Sequence, residues 1–286
     1  MSFPDKFHRD LQHLLNKKDF KSEKELSEFM NSLLGKPLPE ISREELSDKE
    51  LAEELVFEAQ DLPIPEGRKK AEQALDIDKD CIAAWEYLGD IEHTYQRRLT
   101  TYMCGIKVGK IIFGGEYLKE HKGHFWGFYE TRPFMRCLMK SAELLYLMGE
   151  KKSAIDTYEE IIKLNKMDNL GARDYLMLFL IELGDFEKFK KYDMMFKNDT
   201  GAFADFNRAL FSFKTSGENE KSNKLLKKAM KENPYVVPIF IKPYQKFIPL
   251  SSYILGSEEE AVHYAEFAYP IWWKTYGAIA WLRKNK

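Results

Sequence analysis

Three stretches decide how this sequence reads: Leu147–Asn165, "LMGEKKSAIDTYEEIIKLN"; Glu182–Asp199, "ELGDFEKFKKYDMMFKND"; and Thr215–Pro234, "TSGENEKSNKLLKKAMKENP". Laid over one another they share a glycine. Gly149, Gly184 and Gly217 are spaced 35 and 33 residues apart, and an acidic residue follows each. Each glycine closes one amphipathic segment and opens another. A helix, a turn and a second helix thus recur every 34 or so residues, a period that marks stacked helical hairpins.

The same register extends upstream. In "AEQALDIDKDCIAAWEYLGDI" (Ala71–Ile91), Ala74 sits where a second helix needs a small residue, and Trp85, Leu88 and Gly89 give the Trp-x-x-Leu-Gly of a first helix. Pro234 takes the terminal proline position of the Gly217 unit, while Phe189 and Ser222 stand where Ala154 supplies a small residue. This is the tetratricopeptide (TPR) period. The expected fold is all-α, a TPR-like α-α superhelix with an N-terminal helical extension and a C-terminal cap.

The expected divisions are residues 1–45, a helical extension; 46–96, the first TPR-like helices; 97–132, an aromatic and Gly-rich insertion; 133–232, three TPR-like hairpins; and 233–286, a Pro-rich segment with capping helices. Ser22 with Glu25 and Ser47 with Glu50 have capping-box spacing, and Leu26, Phe29, Met30, Leu33 and Leu34 follow at helical spacing. Pro234, Pro238, Pro243 and Pro249 predict an extended segment that buries Val236, Ile239, Phe240 and Phe247. Ser257 and Glu260 then open a last helix.

Hydrophobic residues at 44% support a sizeable core, and a net charge of -2 gives no global pull toward nucleic acid or anionic membrane. Cys81, Cys104 and Cys137, odd in number and far apart, fit buried thiols in a reducing compartment. No secretory h-region opens the sequence and no apolar run approaches the roughly 18 residues of a membrane span. The expectation is a cytoplasmic protein without membrane segments.

Catalytic signatures are missing, and no enzyme activity or cofactor is expected. "GIKVGKI" (Gly105–Ile111) has three residues between its glycines and Ile111 after its lysine, so it fails as a phosphate loop. His121 and His124 form H-x-x-H, with Cys104, His93 and Glu130 as further candidate ligands, but no second paired motif accompanies them. Lys221, Lys224, Lys227, Lys228 and Lys231 share a helix face that could meet RNA; without interleaved aromatics a solvated outer face is the plainer reading.

The groove lined by the first helices is the better candidate. The repeat register places Glu86, Asp90, His93, Arg136, Met139, Glu143, Asp174, Asn207, Phe211 and Lys214 on it. This mixed set suits an extended or helical peptide. It lacks the Lys/Asn/Arg set with which some TPR proteins clamp a terminal carboxylate. The expected function is non-catalytic binding of a peptide or protein partner. The alternative is a metal- or anion-dependent ligand site at His121, His124, Glu130 and Arg132.

"HFWGFYETRPFMR" (His124–Arg136) bears on both readings. Pro133 suits a first helical turn, with Thr131 or Glu130 as cap. Glu130 can pair with Arg132 or Arg136 beside Phe125, Trp126 and Phe128, which would make the stretch an anchoring plug. A carboxylate or phosphate receptor at the arginines stays open.

That stretch, with Tyr158–Phe189, Tyr253–Phe267, Thr275–Leu282, Glu54–Pro63 and Lys69–Asp90, resembles a family of bacterial tetratricopeptide-repeat proteins. Its members carry Phe-Trp, Glu-Thr-Arg-Pro, Leu-Asn-x-x-Asp-Asn and Gly-Ala-x-x-Trp-Leu in this order. The resemblance covers roughly residues 50–285. It implies the fold and no assigned chemistry. The repeat region is more distantly similar to the eukaryotic suppressor-of-tumorigenicity-seven proteins, whose membrane segments have no counterpart here.

Overall fold

A computed structural model describes residues 3–248 and 252–286; Pro249 lies outside them. Among the described residues the chain is helical, without a β-strand. None of the described helices is long and apolar enough to cross a membrane. The chain divides into two compact units, Met1–Leu170 and Gly171–Lys286.

The first unit opens with α1 (Phe3–Asn16) and α2 (Glu23–Leu33). Three hairpins follow: α3 (Asp48–Ala59) with α4 (Ile64–Ile77), α5 (Ile82–Asp90) with α6 (Tyr95–Ile112), and, after a short α7 (Gly115–His121), α8 (Arg132–Leu147) with α9 (Lys151–Leu164). α5 packs on both α3 and α4, and α8 on both α5 and α6. The first helices of the hairpins therefore stack, α3 against α5 and α5 against α8.

Local sequence explains these elements. Ser47 and Glu50 close a capping box on α3. Pro63 and Pro65 start α4, where a missing N–H costs nothing. Ser22 caps α2 as expected, yet no side chain of α2 is fully buried; Phe29 is half-covered by the Phe20 ring at 5.5 Å and the Lys18 ammonium at 3.9 Å.

The expected insertion from residue 97 is shorter than its composition suggested. Thr94 caps an 18-residue helix, α6, that runs through Gly105 and Gly109 to Ile112. Those glycines are packing positions. A Cβ on Gly105 would lie 3.1 Å from the Cys137 sulfur, and one on Gly109 would lie 2.3 Å from the Phe134 ring. Two glycines four residues apart let α6 and α8 approach closely, which the failed phosphate-loop reading left unexplained.

The second unit holds α10 (Ala172–Leu183) with α11 (Phe186–Met195), and α12 (Ala202–Ser216) with α13 (Glu220–Glu232). α12 packs on α10. Gly149 of the first unit and Gly184 and Gly217 of the second take φ of 90°, 77° and 66°, a region open to glycine at little cost. The repeat glycines are thus the turns of their hairpins. Ala154, Phe189 and Ser222, at the small-residue position, are all buried.

After α13 the chain differs from the extended path expected of its prolines. Val236–Phe240 forms one short helix, α14, that accepts Pro238 because a first turn needs no internal N–H. Val236, Ile239 and Phe240 are buried as expected, whereas Phe247 is half-buried. Ser257 caps α15 (Glu258–Lys274), which is followed by α16 (Ala278–Asn285). α15 lies on α10 and α12, the first helices of its unit. It buries Tyr264, Phe267, Ile271 and Trp272, each worth about 1.5–3 kcal/mol when removed from water.

Candidate binding surfaces

The groove residues expected on α5 and α8 converge, but on each other and on α1. Arg136 donates from Nε to both carboxylate oxygens of Glu86, at 2.8 and 2.9 Å, and from Nη1 to Asp5 at 2.8 Å. Lys140, one turn along α8, reaches Glu86 at 2.8 Å and Asp90 at 2.7 Å. The Tyr102 hydroxyl donates to Asp90 at 2.6 Å. Burial alone would raise the Glu86 carboxyl, but Arg136 and Lys140 outweigh it and hold the group at about 2. Burial would likewise lower the Arg136 guanidinium, and Glu86 and Asp5 push it above its usual value.

Arg132 completes the stripe. Its Nη1 meets Asp5 at 3.0 Å, its Nε donates to the Trp126 carbonyl at 3.0 Å, and the guanidinium lies 5.6 Å from the Trp126 ring. The expected pairing of Glu130 with Arg132 or Arg136 does not form, because Asp5 occupies both arginines. Glu130 faces Tyr117 instead; burial, then Glu130, pushes that phenol up. Nor does Thr131 cap α8. Its buried hydroxyl donates back to the Phe125 and Phe128 carbonyls, tying the aromatic turn to the helix start.

The His121 ring packs against Phe128 and Tyr117, at 4.4 and 4.5 Å between centroids. His124 is exposed at the next turn. Among the described residues no three His, Cys, Asp or Glu side chains converge to hold a metal ion. Cys81 and Cys137 are buried, and burial pushes the Cys81 thiol up to about 12.

α1 rests on this surface by its charged side. Asp5, Arg9 and His13, at i, i+4 and i+8, are buried. Arg9 pairs with Glu54 and donates to the Glu50 carbonyl at 3.1 Å; His13 Nδ1 lies 2.8 Å from Glu50 Oε1. Nearby, the Glu53 carboxyl is buried with one oxygen unpartnered, and desolvation, only partly opposed by Lys49 and Arg9, raises it to about 7. His93 is exposed beyond α5, and Met139 and Glu143 are half-buried on α8. Burial raises the Glu143 carboxyl.

In the second unit α15 covers the expected groove. Asn207 is 1% exposed; it accepts from the Tyr264 hydroxyl at 3.1 Å and donates to the Asp174 carbonyl at 3.4 Å. The Trp272 indole donates to the same Tyr264 oxygen at 2.9 Å. Phe211, expected as an open apolar anchor, stacks on Phe189 at 4.3 Å. The large residue at the small-residue position thus has its partner across the α11–α12 contact.

Of the second unit's expected set, Asp174 borders a smaller cleft of about 300 Å³ and Lys214 lines a larger one. This cleft, about 860 Å³, has Phe213 and Trp281 stacked at 4.5 Å in its wall and a fully exposed Tyr276 at its lip. Lys274 and Lys284 stand at the rim with Glu182 and Glu218, and Lys284 pairs with Glu218 at 2.8 Å. The half-buried Lys214 ammonium donates to the Ile181 and Glu182 carbonyls at 2.5 and 3.1 Å. Two of its three N–H bonds serve the end of α10; among the described residues no carboxylate lies within ion-pair distance. Burial lowers its pKa, with Glu182 opposing.

Sequence reading gave residues 1–45 as a helical extension but missed that α1 docks by its charged face on α3 and α8, although Asp5, Arg9 and His13 at helical spacing were the available signal. The short apolar stretch "PIWWKTYGAIAWL" (Pro270–Leu282) carries a second signal. The feature to notice there was Gly277, whose φ of 79° turns the chain between α15 and α16 and leaves Tyr276 outside. No protein-family model matches the chain, and no curated protein matches it.

Proposed function

We propose that this is a non-catalytic binding protein of the tetratricopeptide-repeat type, whose second unit takes a peptide segment bearing an apolar side chain beside a carboxylate. The observation that carries this reading is the Lys214 ammonium set in an aromatic-walled cleft. The stacked Phe213–Trp281 pair and Tyr276 offer an apolar seat. The third N–H of Lys214 and the charge of Lys274, 72% exposed and 3.9 Å from Glu182, offer a carboxylate its partners. Concave sites of this size, mostly apolar with few convergent polar groups, are what ligand pockets look like. The hairpin period, the turn glycines and the stacked first helices support the repeat type, as does the resemblance to the bacterial tetratricopeptide-repeat family. Buried, unpaired thiols fit a reducing cytoplasmic compartment.

Fluorescence polarisation with two labelled peptides tests it, one with Leu and Phe flanked by Glu, the other with the same residues flanked by Lys. The acidic peptide is expected to bind the full chain, and Tyr276→Ser or Lys274→Glu to weaken it at least about tenfold. Equal binding of both peptides, or indifference to both substitutions, would sink the proposal.

A further inference from the structure

We infer that the surface beneath α1 in the first unit is a receptor for a helix with α1's charge order, and that the α1 of a second copy of this chain can take the place of its own. The reading is independent of the cleft in the second unit.

The first ground is how α1 is held. The described side chains it buries are Asp5, Arg9 and His13, all polar. Its apolar residues are poorly covered: Phe7 is 41% exposed, and Leu11 and Leu15 border an open groove beside Tyr117 and Phe128. A helix held chiefly by buried ion pairs is selected by its charge order more than by apolar packing.

The second ground is that most of the receptor is ordered by groups other than α1. Arg136 is fixed by both oxygens of Glu86, and Arg132 by the Trp126 carbonyl and ring. Glu50 accepts from the Ser47 N–H at 2.8 Å and hydroxyl at 2.7 Å. Glu54 is held by α1's own Lys6 and Arg9, but Arg132, Arg136 and Glu50 keep their directions when α1 leaves. Together these charges read out an order along a helix, with an acidic residue over Arg132 and Arg136, a basic one four residues later over Glu54, and His after four more over Glu50. A helix with this order in reverse would set like charges together, which fixes both partner and polarity.

The third ground is the connection. Between α1 and α3 the one α-helix is α2, which buries no side chain, and an exposed Arg43–Glu58 pair ties the segment to α3. Exchange of an identical element between two copies is a low-cost route to a symmetric pair. The occupant proposed is the Asp5–His13 face of a second copy.

The test is fluorescence polarisation with a labelled peptide of sequence Pro4–Lys17, added to the full chain as wild type and as the Asp5→Asn/Arg9→Gln double variant. The double variant weakens only the chain's own arm, so it is expected to bind the peptide at least about tenfold more tightly than wild type. Adding Arg132→Ala should reverse that gain. A peptide with Asp5 and Arg9 exchanged should not bind. Should the double variant not fold, Asp5→Asn alone carries the same comparison. If the variant melts like wild type and takes up the peptide no better, or if the charge-exchanged peptide binds equally well, the inference is overturned.

Discussion

Replacing Glu86 with glutamine keeps the side chain's shape and removes its charge from between Arg136 and Lys140. The carboxylate is 6% exposed and accepts three hydrogen bonds from the two cations. Against an ordinary value of 4.5 it is held at about 2: burial opposes ionisation, and Arg136 and then Lys140 overcome it. At about 1.4 kcal/mol per pKa unit, that difference corresponds to a contribution of about 3 kcal/mol at neutral pH. The folded value lies below the unfolded one. The contribution is therefore fully present above pH 4.5 and is lost as pH falls from there toward about 2. Glu86→Gln should lower the unfolding free energy of the first unit by about 3 kcal/mol at pH 7, or roughly 6–12 °C in Tm. Urea unfolding of both chains, followed by circular dichroism at pH 7 and again near pH 3.5, checks the size and the sign. A cost under about 1 kcal/mol, or one equally large at both pH values, would refute the ladder as the source of this stability.

Other changes test separate parts of the fold. Gly109→Ala drives a methyl group into the Phe134 ring at the α6–α8 crossing and should cost about 1–3 kcal/mol, read as a lowered Tm. Glu53→Gln should act in the opposite direction to Glu86→Gln. Burial raises this carboxyl to about 7, so the wild-type chain loses stability as pH climbs from 4.5 through 7. The variant should melt higher than wild type at pH 8 and nearly level with it at pH 4.5; a lower melt at pH 8 would contradict the assignment. Thr131→Val removes the hydroxyl held by the Phe125 and Phe128 carbonyls and should loosen residues 115–131 first, seen as faster proteolysis there at a cost of about 1–3 kcal/mol.

The helices and their turns were legible because they depend on local chemistry. Ser47 with Glu50, Pro63 with Pro65, and the three turn glycines each act within a few residues of chain. Gly105 and Gly109 misled for the same reason. Their purpose is a ring and a thiol on another helix, a contact that a short window cannot contain. The candidate surface was half legible. Glu86, Asp90 and Arg136 do meet in one network, yet it is closed by partners about 50 and 130 residues away along the chain. Repeat register fixes which way a side chain points and says nothing of what arrives in front of it. Here α1 and α15 arrived, one with charges and one with aromatic rings.

The segment joining α1 to α3 has a consequence for how the first unit would choose its occupant. A tether of some 30 residues holds its end at an effective concentration of order millimolar, falling as the tether lengthens. A helix arriving from another molecule competes against that number. At low copy number the own arm wins by proximity alone, and the receptor stays private. Where copies are crowded together, on a shared assembly or in a concentrated pool, the same surface becomes common property without any change in its contacts.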